Sequence, residues 1–210
     1  MNTVVLLGDS IFDNGVYVPG GPSVVEHLNR CLPKGTIARL LAVDGSIAAS
    51  VAGQLKKLPS EATHLVVSAG GNDALGNCGL VLHETATSFR QVMTELAKVR
   101  AEFEREYRAM LEAVLAHRKP TVVCTVYDAV PGLEPCLTAA LCLFNDVILR
   151  HSARAGVPVI DLRAICTEVS DYAPSSPIEP SGPGGGKIAR AIARVLAEHD
   201  FAVGGCKVYC

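Results

Sequence analysis

Five short apolar runs rich in β-branched residues recur along the chain, and stretches with helical spacing separate them. The runs are TVVLLG (3–8), TIARLLAV (36–43), HLVVSA (64–69), TVVCTV (121–126) and VPVID (157–161). Between them, PSVVEHLNRCL (22–32) and SIAASVAGQLKKL (46–58) carry apolar residues three and four apart, as an amphipathic helix requires. A long segment from about 86 to 117 is charged on one side and apolar on the other, and residues 139–155 and 185–199 complete the helical set. Strand alternating with helix in this way implies parallel strands joined by right-handed crossovers, with helices on both faces of the sheet.

The expected architecture is therefore a three-layer, flavodoxin-like α/β fold with a five-stranded parallel sheet of order 2-1-3-4-5. No repeat, low-complexity tract or linker divides the chain, so residues 1–210 are expected to form one domain. Hydrophobic residues make up 49% of the sequence, mostly Ala, Val and Leu, which suits strands buried on both faces. No apolar run reaches the ~18 residues of a membrane span. A net charge of −2 gives no nucleic-acid footprint, and the absence of tryptophan argues against an aromatic platform for sugars or bases.

Met1-Asn2-Thr3 lacks the basic start of a signal peptide, and the eight cysteines show no CxxC pair. Several, such as Cys124, lie inside apolar runs. The expectation is reduced thiols in a cytoplasmic protein. Cys206 and Cys210, spaced CxxxC, leave open a disulfide or a metal site, although no second ligand pair accompanies them. Oligomeric state cannot be read from the sequence.

In a sheet of this order the functional site lies beyond the carboxyl ends of the strands, where the first and third strands diverge. The loop after the first strand reads Gly8-Asp9-Ser10-Ile11-Phe12-Asp13-Asn14, and the loop after the third reads Gly70-Gly71-Asn72-Asp73. A serine on one side faces an amide on the other. Acyl transfer requires such parts: an oxygen nucleophile, and donors where negative charge develops on the attacked carbonyl. Gly45, after the second strand, offers a further backbone N–H with no Cβ in the way. Asp9, Asp13 and Asp73 are read as residues that organise loops or cap helices, and Asp128 lines the same sheet edge without a motif.

GDS after the first strand, a glycine after the second and GGND after the third together resemble the SGNH (GDSL-type) hydrolase superfamily over essentially the whole chain. That resemblance implies Ser10 as nucleophile. It also implies an oxyanion hole formed by the Ser10 and Gly45 N–H groups and the Asn72 side chain, and hydrolysis of a small-molecule ester without metal or cofactor. The superfamily places an Asp-x-x-His pair before its last helix. Here the matching stretch is Ser176-Pro177-Ile178-Glu179, followed by Pro180 and the glycine-rich start of KIARAIARV.

Two readings follow. Glu179 is the general base, and the aspartate has been lost with the histidine because it would set like charge against like. Alternatively the triad is broken, and the protein is an impaired homologue that binds an acyl or carbohydrate ligand. His83, some ten residues past Asn72, is a further candidate for folding over the site; His27, His64, His117, His151 and His199 are expected at the surface. GPGGGK lacks the first glycine and the Ser/Thr of a phosphate-binding loop, and Ile11 rules out an Asp-x-Asp phosphatase motif.

Overall fold

The computed structural model describes residues 2–82 and 88–210. In chain order the elements are β1 (Asn2–Gly8), α1 (Val24–Cys31), β2 (Thr36–Leu40), α2 (Val51–Leu55), β3 (Ala62–Ser68), α3 (Gly71–Leu75), α4 (Cys78–Leu82) and α5 (Phe89–Leu115). They continue with β4 (Thr121–Cys124), α6 (Pro135–Ala155), β5 (Val159–Ile160), α7 (Leu162–Ile165), β6 (Tyr172–Ala173), β7 (Ser176–Pro180), α8 (Gly182–Glu198) and β8 (Val208–Tyr209).

The main sheet runs β2-β1-β3-β4-β5-β8, and every neighbouring pair is parallel. The expected order 2-1-3-4-5 is therefore present, with a sixth strand added beside β5. Two residues of β8 are too short to leave an alternating pattern in sequence. β6 and β7 form a separate antiparallel ribbon. The stretch 46–58, expected as one helix, folds as a 3-10 turn at Ala48–Ser50 followed by the short α2.

Alternation along β1 sets the layers. Val5 and Leu7 face a core shared with Leu65, Val67 and Val123 and with Phe103, Tyr107, Val147 and Ile148 of α5 and α6. Val4 and Leu6 face the opposite core, against Val24 and Leu28 of α1 and Ile188, Ile192 and Val195 of α8. All four β1 residues are essentially inaccessible, and each such burial stabilises the fold by roughly 1.5–3 kcal/mol.

The glycine-rich GPGGGK stretch has a packing role. A Cβ on Gly184 would lie 2.0 Å from the Asp171 carbonyl oxygen, and one on Gly185 3.1 Å from Val24. Bare backbone lets the start of α8 close against α1 and the residues before β6. Lys187 faces Asp171, with Nζ 2.8 Å from Oδ2.

All eight cysteine side chains are free. Cys206 and Cys210 flank the extended β8, which sets them about 13 Å apart, beyond disulfide reach. Among the described residues no group of three or more His, Cys, Asp or Glu is arranged to hold a metal ion, and no helix is long and apolar enough to cross a membrane.

Candidate active site

Gly8 ends β1 at φ +123, where a Cβ would sit 1.7 Å from the Ser68 carbonyl oxygen of β3. Only glycine permits the chain to turn there. Gln54 of α2 fixes this turn from below: its Oε1 accepts from the Gly8 N–H at 2.8 Å and its Nε2 donates to the Gly8 carbonyl at 2.7 Å. The next residues close a tight turn, with the N–H groups of Phe12 and Asp13 donating to the Asp9 carbonyl. Asp9 Oδ1 accepts from the Ile11 N–H at 3.1 Å. Between these bonded residues the Ser10 N–H has no acceptor among the described residues.

Ser10 opens into a cleft that is also lined by Asp9, Asn72 and Glu179. Asn72 stands in the first turn of α3 and donates one N–H from Nδ2 to the Ser46 carbonyl at 3.0 Å, which orients the amide and leaves its second N–H for a ligand. Asp73 Oδ2 accepts from the Ala48 N–H at 3.0 Å, and burial raises its pKa.

Gly45 lies in the turn 43–46, where the Val43 N–H donates to the Gly8 carbonyl. It has a left-handed φ of +75 and is exposed. It does not line the cleft, and so stands apart from the other three groups.

Glu179 reaches the cleft from β7. Two long-range bonds hold that strand: Asn14 Nδ2 donates to the Pro180 carbonyl at 3.0 Å, and the Tyr127 hydroxyl to the Ile178 carbonyl at 2.7 Å. The carboxyl is buried, and its Oε2 has no partner among the described residues. Burial raises its pKa above 4.5; the neighbouring Ser10 hydroxyl draws it partly back, and the charge of Asp44 pushes it further up. Asp9, more deeply buried, is pushed up to about 8 by desolvation, against the pull of the Ile11 N–H and with a smaller push from Glu179.

Ser176, at the other end of β7, pairs with Ala173 across the ribbon and does not line the cleft. His83 lies outside the described residues. None of the other five histidines lines the cleft. His151, expected at the surface, is instead buried between α5 and α6 with its Nε2 3.3 Å from Glu104.

Beyond the polar end the cleft is apolar. Leu137, Ala140, Leu141 and Phe144 form one stripe of α6, Leu96 and Val99 face them from α5, and Val130, Leu133 and Ile178 close the sides. The polar residues that hold the scaffold were missed in sequence. Gln54 and Asn145 each interrupt an apolar helical stretch, and that interruption was the available signal. Asn145 accepts from the Val126 N–H at 2.8 Å and donates to its carbonyl at 2.9 Å, tying down the loop after β4.

Comparison with known proteins agrees with this fold. Among solved structures, a lipase from a goat rumen metagenome matches with a TM-score of 0.73 at 18% identity, covering 94% of this chain and 98% of its own. The extracellular lipase of Streptomyces rimosus matches at 0.66 and 18% identity, over 95% and 100% of the two chains. The psychrotrophic esterase EstA from Pseudoalteromonas sp. matches at 0.65 and 14% identity, over 94% and 100%. No curated protein sequence matches. Identities this low show a shared fold. The model of the GDSL-like lipase/acylhydrolase family, however, matches residues 6–184, a span from the middle of β1 into α8, and the chain belongs to that family of ester hydrolases.

Proposed function

We propose that the protein is a serine ester hydrolase in which Glu179 takes the place of the usual histidine base. The observation that carries this reading is that Ser10, Asn72 and the buried Glu179 carboxyl line one cleft. Ser10 Oγ attacks the ester carbonyl as its proton passes to Glu179. The Ser10 N–H, the Asn72 amide and, with rearrangement of its turn, the Gly45 N–H receive the oxyanion. Protonated Glu179 then hands its proton to the departing alcohol. A water activated by the regenerated carboxylate releases the acid from Ser10.

A carboxylate in water is a poor base for an alcohol. Burial that raises the Glu179 pKa narrows the mismatch. The apolar walls from α5 and α6 suit the acyl chain. The chain is taken to work as one domain, and its eight free thiols favour a reducing, cytoplasmic setting.

Short p-nitrophenyl esters test the reading. Wild type should turn over, Ser10→Ala should not, and a phosphonate ester should label Ser10 alone. A wild type inert toward esters, yet able to bind free fatty acids in the cleft, would mean a binding protein instead.

A further inference from the structure

The charges around Ser10 are of one sign. Among the described residues lining the cleft there is no Lys, Arg or His; the Glu179 carboxyl faces it, beside Asp9, whose buried carboxyl has its pKa pushed up to about 8 and so stays largely uncharged. The loop after β1, which Asn14 ties to Pro180 beside Glu179, carries or contacts further carboxylates that do not themselves line the cleft. Asp13 Oδ2 accepts from the Asp44 N–H at 3.0 Å, and Asp44 Oδ2 accepts from the Tyr17 hydroxyl at 2.7 Å. The Tyr17 hydroxyl feels Asp44, Glu179 and Asp13 together, and its pKa rises to about 12. Nothing basic is paired with these groups among the described residues.

An independent observation points to a ligand. Glu179 is 5% exposed and lines the cleft, yet its Oε2 has no hydrogen-bond partner among the described residues. A buried carboxylate oxygen without a partner is costly and calls for one. A metal ion does not fit, because no three potential ligands come together among the described residues. An organic cation does: it needs diffuse negative charge and a nearby aromatic ring rather than close coordination.

We propose that the preferred substrates are acyl esters of a cationic alcohol, a quaternary or protonated amino alcohol, with the acyl chain against α5 and α6 and the positive charge beside Glu179, Asp44 and Asp13. This rests on the ester-hydrolase reading above and names its substrate class. Anionic esters would meet repulsion from every charge in the mouth.

The experiment compares two esters of equal shape, butyrylcholine and 3,3-dimethylbutyl butyrate, which differ in one charge. At low salt kcat/KM should favour the cationic ester by about five- to tenfold, since partly exposed charge pairs are individually weak. The ratio should fall severalfold in 0.5 M NaCl, where screening shortens to a few ångströms. Asp44→Asn should lower the same ratio in a protein that melts as wild type does.

Equal rates on the two esters, with Ser10-dependent turnover of both, would overturn the substrate assignment and leave the hydrolase standing. Calorimetric titration with hexyltrimethylammonium and with hexanoate separates the other case. Tighter binding of the ammonium in a protein inert to both esters would keep the cation site and remove the hydrolase reading. Equal binding of the two probes would overturn the cation site.

Discussion

The two halves of the cleft are built to different standards. On the nucleophile side every fixed group is bonded: Gly8 is held at both its N–H and its carbonyl by Gln54, Asp9 is tied to Ile11, and the Asn72 amide is oriented by Ser46. On the base side the backbone is equally well anchored, through Asn14 to Pro180 and Tyr127 to Ile178. The proposed base itself is not, for one Glu179 oxygen is buried with no partner among the described residues. The backbone that carries the proposed base is therefore anchored, while the carboxyl it carries keeps a buried oxygen with no partner among the described residues. Pre-organisation of nucleophile and oxyanion donors tolerates a change of base more readily than the reverse, because those donors act on charge that any base would generate.

The comparison breaks most visibly at its rigid half. Ser10→Ala removes the attacking atom from a fully assembled site and should lower kcat/KM by about 10⁴–10⁶-fold, measured on p-nitrophenyl butyrate. Residual Ser10-independent turnover within tenfold of wild type would show that the bonded half is not the reaction centre.

The adaptable half should be less sensitive. Glu179→Gln keeps shape and removes the base, with an expected loss of about 10²–10⁴-fold in kcat and a smaller change in KM. Restoring the family's pair with Glu179→His and Ser176→Asp should recover activity if the scaffold is as complete as it looks. Ser176 now faces Ala173 across the ribbon and lines no part of the cleft, so Glu179→His alone should recover less. Full activity in Glu179→Gln would assign the base to another group.

Asn72→Ala should cost about 10²–10³-fold in kcat, the usual toll of one oxyanion donor, with KM little changed. A loss confined to KM would mean that Asn72 only binds. Its side chain also braces the turn carrying Ser46, so Asn72→Asp, which keeps the shape but replaces the N–H donors with negative charge, should be at least as harmful.

Much of this contrast was legible in the sequence. β-branched runs marked five strands, whose order is the common one for such sheets, and the polar residues closing β1 and β3 marked the sheet edge, because strand ends and sharp turns leave local signals in Gly, Asp and Asn. The locks were not legible. Asn14 and Pro180 are 166 positions apart and Gln54 and Gly8 are 46 apart, and no local pattern encodes such pairings. Stretch 46–58 has helical periodicity, yet the chain needs a turn at Ala48 to bond Asp73, and tertiary demand overrode local preference there. Glu179 was found only through its place beside Pro180 and α8; its missing partner is a property of the folded cleft.

The pH dependence sharpens the base side. Glu179 must be ionised to accept the Ser10 proton, and burial raises its pKa above 4.5. Activity should therefore be lost as pH falls through that raised value, as an acid limb in kcat/KM above 4.5. Glu179→His should move the limb toward the histidine range near 6.5. An unchanged limb in that variant would detach the titration from residue 179.

The smallest effect separates Asp9 from Glu179, two buried carboxyls with different tasks. Asp9 titrates at about 8 in the folded protein, against 3.8 when exposed, chiefly because it is desolvated. Below 3.8 it is protonated in both states. As pH rises from 3.8 toward 8 the unfolded chain gives up this proton while the folded chain keeps it, so the stability present in acid is progressively lost. Asn at this position stays neutral and still accepts from the Ile11 N–H through its carbonyl oxygen. Asp9→Asn should thus melt with wild type near pH 4 and above it near pH 9, by about 3–8 °C for a chain of this length. Its acid limb should remain, because Glu179 still provides it. A variant less stable than wild type at pH 9 would mean that Asp9 is charged in the folded protein and satisfied there. The unpaired acid of the cleft would then be Glu179 alone.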